Sequence, residues 1–273
     1  MVVFPNCKIN LGLHILNKRE DGFHDIETIF FPVPIEDALE VIVNNNAQQQ
    51  ITYTSSGIKV EGDIANNLCV KAYHLLKRDF PQLPNVRLHL HKAIPMGAGL
   101  GGGSADGTFT LNLLNNKFHL NLTEEQLIAY ALQLGSDCPF FIYNKPCFAT
   151  GRGERLKAIE LNLSGYFLVI INPGIHVNTG WAFKQITPHK RAVSLLSVIG
   201  EPVEMWKEGL TNDFEEPVFA QHPEIESIKN LLYQNNAVYA GMTGTGSTVF
   251  GIFRESPAPI AVRENYLYKT ILL

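Results

Sequence analysis

The sequence predicts an α+β fold, and three observations carry that expectation. From Lys8 to Ile15 aliphatic and polar residues alternate with a period of two, and a second strand-like run returns from Phe23 to Phe30. A third alternating run, Val86 to His91, leads into a glycine-rich segment and then a helical stretch. Two further helical stretches carry their own capping signals. At 273 residues the chain has room for two domains.

In the first strand, Ile9, Leu11, Leu13 and Ile15 form one face, and Lys8, Asn10, Gly12 and His14 form the other. Burial on one side explains the aliphatic set. The polar side is either solvated or a stripe with a task. Asn10 two residues from Lys8, with Gly12 leaving bare approach beyond it, favours the task. Asn17 to Gly22 supplies the turn, and the returning strand opens on Phe23-His24, a pair suited to packing or to recognition. Asp63 to Asn67 opens a helix reaching about Arg78, with Val70, Tyr73 and Leu76 on one face. Thr123-Glu124-Glu125-Gln126 is a capping box, and Leu134-Gly135 ends the helix it starts. Asp137 follows, between that helix end and Pro139-Phe140-Phe141, where it either caps a turn or faces chemistry. A second glycine loop, Gly241 to Ser247, precedes a strand from Thr248 to Phe253.

The segment Pro95-Met96-Gly97-Ala98-Gly99-Leu100-Gly101-Gly102-Gly103-Ser104-Ala105 places five glycines in seven positions. Glycine loses more conformational freedom on folding than any other residue, so bare backbone serves a purpose here. Consecutive N–H groups in a tight loop make an anion-binding concavity, and Ser104 can cap the helix that carries Phe109 and Leu113. Strand, glycine loop and helix N-terminus in this order favour a polyphosphate; the other reading is a flexible hinge. Gly97, Gly99 and Gly102 match G-x-G-x-x-G, but the loop lies a third of the way along and lacks the acidic residue a dinucleotide fold needs. The H-R-D and D-F-G partners of a protein kinase are missing as well. A Walker A reading puts Gly103 where lysine is required, so a cation for phosphate must come from elsewhere.

Composition narrows the class. The chain is 45% apolar and 18% charged with a net charge of −4, which leaves no electrostatic footprint for nucleic acid. The longest apolar run, Tyr166 to Ile171, is far short of a membrane span, and the first residues lack a signal-peptide pattern. Cys7, Cys69, Cys138 and Cys147 show no metal or redox spacing and read as reduced core thiols of a cytoplasmic enzyme.

Taken together, Pro5-Asn6-Cys7-Lys8-Ile9-Asn10-Leu11-Gly12-Leu13, Pro95 to Ala105 and Gly241 to Phe253 resemble the GHMP kinase superfamily along nearly the whole chain. Lys8-Ile9-Asn10-Leu11, Asp21-Gly22-Phe23-His24, Gly135-Ser136-Asp137-Cys138-Pro139 and Gly151-Arg152-Gly153-Glu154 narrow the resemblance to its 4-diphosphocytidyl-2-C-methyl-D-erythritol kinase branch. Phe23 stands where that branch often has tyrosine, and Cys7 where it usually has alanine. The resemblance implies a ribosomal protein S5 domain 2-like N-terminal domain over 1–155 and a ferredoxin-like C-terminal domain over 156–273. It also implies ATP-dependent phosphorylation of the 2-hydroxyl of a cytidine diphosphate-linked alcohol in the non-mevalonate isoprenoid pathway. ATP and Mg²⁺ are the expected cofactors, and a small molecule rather than nucleic acid or membrane is the expected partner.

Roles follow from the same resemblance. Asp137 becomes the base facing the acceptor hydroxyl, and Lys8 the cation beside it. Pro95 to Ala105 bind ATP, with Ser104 as the loop hydroxyl to meet phosphate or Mg²⁺. Asn10, Phe23 and His24 face the cytidine portion, and Arg152 lies near the substrate phosphates. Val177 to Phe183, including Thr179, resembles a second recognition segment in which Phe183 or Trp181 stacks on the base. The rival readings are another kinase of the superfamily, acting on mevalonate-type, homoserine or sugar alcohols, and a catalytically silent ATP-binding sensor.

Overall fold

The alternation that opens the chain becomes the strand Asn6–Lys18 in the computed structural model, which describes residues 1–45 and 48–273. Both of its faces are buried. Lys8, Asn10 and His14 are 3%, 2% and 3% exposed, so the polar stripe is not a solvated face. Buried polar groups need partners, and the strand's partners are the starting point for the site. The chain divides into two compact units.

The first unit comprises Met1–Lys8, Pro32–Met96 and Gly101–Lys145. Its sheet runs in the spatial order Val2–Val3, Ala38–Val43, Val86–Lys92, Ile51–Gly57. Ala38–Val43 is antiparallel to Val86–Lys92, whereas Ile51–Gly57 is parallel to it. A parallel neighbour needs a crossover, and the helix Leu68–Asp79 provides it. The expected helix from Asp63 arrives in two steps. Asp63 caps a short 3₁₀ turn, Ile64–Asn66, and Asn67 then caps Leu68–Asp79 by accepting from the Cys69 N–H at 2.9 Å. The helices Gly102–Phe118 and Glu124–Leu134 complete the layer, the latter with the full reciprocal box between Thr123 and Gln126. Leu39, Val41, Tyr73, Leu88, Leu111 and Leu114 form the core between sheet and helices.

The second unit comprises Ile9–Phe31, Gly97–Leu100 and Pro146–Leu273. The apolar run near Tyr166 is the strand Phe167–Asn172, an inner strand of an antiparallel sheet ordered Tyr239–Met242, Val249–Phe253, Phe167–Asn172, Leu267–Leu272. Being inner explains why it is apolar without alternation. The helices Glu215–Gln221 and Pro223–Gln234 pack against this sheet, contributing Val218, Ile228 and Leu232 to a core that includes Val169, Ile171 and Phe214. Within this unit residues Ile26 to Phe30 also pair antiparallel with Gly151 to Cys147, and Cys147–Gly151 pairs with Arg155–Ala158. All four cysteines are buried, and among the described residues no helix is long and apolar enough to cross a membrane.

Candidate active site

The glycine loop leaves the strand Val86–Lys92 and ends in the helix Gly102–Phe118. That helix starts earlier than a Ser104 cap predicts. Gly101 is its N-cap, in the left-handed region at φ 69°, and makes no side-chain cap bond. Ser104 therefore lies inside the first turn, where its hydroxyl reaches the Cys138 thiol. The physical reason is that a glycine N-cap leaves the first-turn N–H groups uncovered, whereas a serine cap would occupy one of them. Burial holds the Cys138 thiol up at about 11, so it is a packing group and not a nucleophile.

Gly101 also explains how the loop meets charged side chains. A Cβ at this position would sit 3.1 Å from Lys8 Cε and 3.2 Å from Phe141 Cζ. The loop backbone thus rests against the lysine stem. Lys8 Nζ lies 3.4 Å from Asp137 Oδ2, with the lysine side chain 4% exposed and the aspartate side chain 37% exposed. Asp137 is presented by the turn after Gly135, in which the Cys138 N–H donates to the Gly135 carbonyl at 3.2 Å. The short helix Phe140–Tyr143 takes no side-chain cap, so the carboxylate is not spent on capping. Within the first unit, Gly101, Lys8 and Asp137 are brought together.

Within the same unit lies a cavity of about 660 Å³, lined by Tyr53, Asn67, Lys92, Met96, Gly103 and Asp106 among others. Nothing lies within 4 Å of a Cβ built on Gly103, so the loop opens onto space at that point. Lys92 is fully buried and bridges Asp37 to Asp106. Burial, with the Asp37 charge nearby, raises the Asp106 carboxyl above the usual range, while the Lys92 cation opposes that rise. Sequence reasoning missed this triad. Its signal was a lysine on the buried face of an alternating strand, following Val86, Leu88 and Leu90.

In the second unit the other half of the glycine loop is gripped by the later glycine loop. A Cβ on Gly99 would fall 2.1 Å from the Thr243 carbonyl oxygen. The Thr243 hydroxyl accepts the Asn10 N–H at 2.9 Å and lies 2.9 Å from the Gly99 carbonyl oxygen. Asn10 Nδ2 donates to Thr28 Oγ1 at 2.9 Å. The segment Gly241 to Ser247 is therefore more than a bare turn: its Thr243 connects Asn10 to Gly99.

The aromatic candidates form two pairs in this unit. His24 stacks on Phe183 with centroids 4.9 Å apart and an interplanar angle of 22°, and Phe183 meets Phe214 edge-on. The Arg152 guanidinium lies 4.3 Å over the Phe23 ring, which is half exposed. Partial burial, with Lys18 nearby, lowers the His24 pKa below its ordinary value, which favours the neutral imidazole with one acceptor nitrogen. Asn178 caps the helix Thr179–Gln185 by accepting the Trp181 N–H at 2.8 Å. Trp181 packs against the core, and Thr179 Oγ1 lies 3.4 Å from Thr245 Oγ1.

This geometry coincides with a family signature. Residues 67–145 match the model of the GHMP kinases N terminal domain, and residues 198–268 match that of the GHMP kinases C terminal. A 4-diphosphocytidyl-2-C-methyl-D-erythritol kinase of Bacteroides fragilis is 52% identical over 253 residues, 93% of this chain and 92% of that protein. One from Parabacteroides distasonis is 45% identical over 273 residues, covering 100% of this chain and 98% of its own length. The chain belongs to the GHMP kinase family. A crystal structure of 4-(cytidine 5'-diphospho)-2C-methyl-D-erythritol kinase superposes with a TM-score of 0.79 at 29% identity, covering 92% of this chain and 90% of that one. The mevalonate kinase of Methanococcus jannaschii, at 12% identity and a TM-score of 0.69 over 93% of this chain and 90% of its own, shares the fold.

This GHMP kinase is accordingly an α+β, two-domain, ATP-dependent phosphotransferase with a small-molecule substrate. The glycine loop can be tested directly. Gly101→Val adds a β-branched side chain at φ 69° against the Lys8 stem, so ATP binding should be lost while the fold is retained. Calorimetric titration with ATP checks this, and native-like binding by folded Gly101→Val would remove Gly101 from the loop's function.

Proposed function

We propose that this kinase transfers the γ-phosphoryl group of ATP to the 2-hydroxyl of 4-diphosphocytidyl-2-C-methyl-D-erythritol, a step of the non-mevalonate isoprenoid pathway. The observation that carries the reading is the contact of Lys8 with both Asp137 and the loop backbone at Gly101, in a chain 52% identical to a kinase of that name. Phosphoryl transfer needs positioned phosphates and neutralised charge more than covalent chemistry. The backbone N–H groups of the loop between Met96 and Ser104 cradle the phosphates, and the 660 Å³ cavity takes the rest of the nucleotide. Lys8 supplies the cation that the loop lacks. Asp137 accepts the proton of the acceptor hydroxyl as the bond to phosphorus forms, because an alcohol is too weak an acid to lose it beforehand.

Mg²⁺ would be held chiefly by ATP phosphates and water, and the Ser104 hydroxyl, in the first turn of the helix Gly102–Phe118, is the side chain that would meet it on leaving the Cys138 thiol. When bound, Mg²⁺ neutralises phosphate charge.

On the substrate side, Phe23, His24 and Phe183 recognise cytosine, with Thr179 adding a polar contact and Arg152 meeting the diphosphate; Asn10, buried and bonded through its side chain to Thr28 and Thr243, supports this site from behind instead of touching the base. The stacking of His24 on Phe183 supports Phe183 over Trp181 as the aromatic partner. A neutral His24 nitrogen suits the cytosine edge, and polar contacts rather than stacking select the base. A silent sensor would have no use for the Lys8–Asp137 pair. The location we propose is the cytoplasm.

Asp137→Asn should retain ATP binding and lower turnover by about 10²–10⁴-fold, the range of a positioned base. Coupled measurement of ADP release checks this; undiminished turnover in the folded variant would exclude Asp137 as the base. Phe183→Ala should weaken binding of a cytidine diphosphate ligand by about 1–3 kcal/mol, the scale of one stacked base, and spare ATP. His24→Ala should in addition reduce the preference for cytidine over uridine diphosphate. Equal losses for ATP and the cytidine ligand in parallel titrations would contradict this assignment.

A further inference from the structure

The strand Val86–Lys92 buries every second side chain, and the last of these is charged. A buried ammonium is costly unless well paired, and Lys92 is paired twice. Its Nζ donates to Asp37 Oδ2 and, at 2.7 Å, to Asp106 Oδ2. The other Asp37 oxygen accepts the N–H groups of Ala93 at 2.6 Å and Ile94 at 2.9 Å, the residues by which the chain leaves the strand for Pro95. Asp106 lies just inside the helix that opens at Gly102. The three side chains therefore tie the entry of the glycine loop to its exit. Gly102 shows how closely this arrangement packs under the loop. A Cβ there would be 2.8 Å from Ile94 Cγ2 and 3.0 Å from Lys92 Nζ.

We propose that Asp37, Lys92 and Asp106 are positioning residues that fix the separation of the loop's two ends, and with it the affinity of the loop for ATP. The proposal rests on the reading of Pro95 to Ala105 as the phosphate loop. Lys92 is not itself the missing phosphate cation, because two carboxylates already neutralise it. Asp106 also lines the cavity beside Gly103, and its Oδ1 is buried with no hydrogen-bond partner among the described residues. A shift of the triad is thus felt both at the loop ends and at the wall of the nucleotide's volume.

The test is ATP affinity set against stability in the full chain. Asp106→Ala cuts one tie and leaves the neutral Lys92–Asp37 pair. Its ATP affinity should fall on the order of tenfold, as when a group that holds a binding residue in place is removed. Asp106→Asn, which keeps an oxygen for Lys92 Nζ, should recover most of that loss. If Asp106→Ala does not fold, Lys92→Met combined with Asp37→Asn and Asp106→Asn leaves no buried charge and should show the same loss of ATP affinity. A lowered melting temperature with unchanged ATP affinity in the folded variant would overturn the proposal, as would failure of Asp106→Asn to recover binding. Native ATP affinity in Gly101→Val would overturn the loop reading, and this proposal with it.

Discussion

Everything in the candidate site turns on keeping one stretch of backbone bare while holding it still. Glycine is the wrong residue for rigidity by itself, since it has the most freedom to lose on folding. The chain solves this by packing against the absent side chains. At Gly99 the Thr243 carbonyl oxygen occupies the place of a Cβ, and at Gly101 the Lys8 stem approaches it. Each glycine is thus a contact surface. The loop's freedom is removed by neighbours rather than by its own sequence, which is why its geometry depends on residues far away along the chain.

Charge is distributed with the same economy. A glycine loop proposed to hold phosphate has no lysine of its own, and two lysines lie against this one. Lys92 is enclosed and compensated by Asp37 and Asp106, which suits it to holding structure together. Lys8 sits 3.4 Å from a carboxylate that is itself partly exposed, which suits the pair to chemistry on an incoming group. Burial and pairing, rather than residue type, separate the two tasks.

Local signals in the sequence are legible and distant ones are not. The alternation from Lys8 to Ile15, the capping box at Thr123 and the glycine loop are properties of a few adjacent residues, and each appears where expected. The helix after the loop begins at Gly102 instead of being capped by Ser104, because Gly101 takes the left-handed conformation that ends the loop and starts the helix with no side-chain cap. The connection of Thr243 to Asn10 spans 233 positions, and that of Lys92 to Asp37 spans 55. No periodicity reports pairings of that kind. Lys92 left a trace, a charge where the alternation called for an apolar side chain, but the identity of its partners was not readable. Likewise Phe23-His24 was visible as a pair, whereas the stacking of His24 on Phe183 and of Arg152 on Phe23 depends on tertiary structure.

The residues proposed for recognition carry the choice of alcohol in this account, since the fold alone is shared with mevalonate kinases. Stacking serves any base and the polar contacts choose among them, so the specificity of this chain should be readable in a competition between substrates. The most direct measurement is ATP-dependent turnover of the purified chain against a panel of alcohols: 4-diphosphocytidyl-2-C-methyl-D-erythritol, its uridine counterpart, mevalonate, homoserine and a sugar. The account predicts by far the highest kcat/KM for the cytidine compound, with phosphate appearing on its 2-hydroxyl. Preferential turnover of any other alcohol, or none of the cytidine compound by folded, ATP-binding protein, would contradict it.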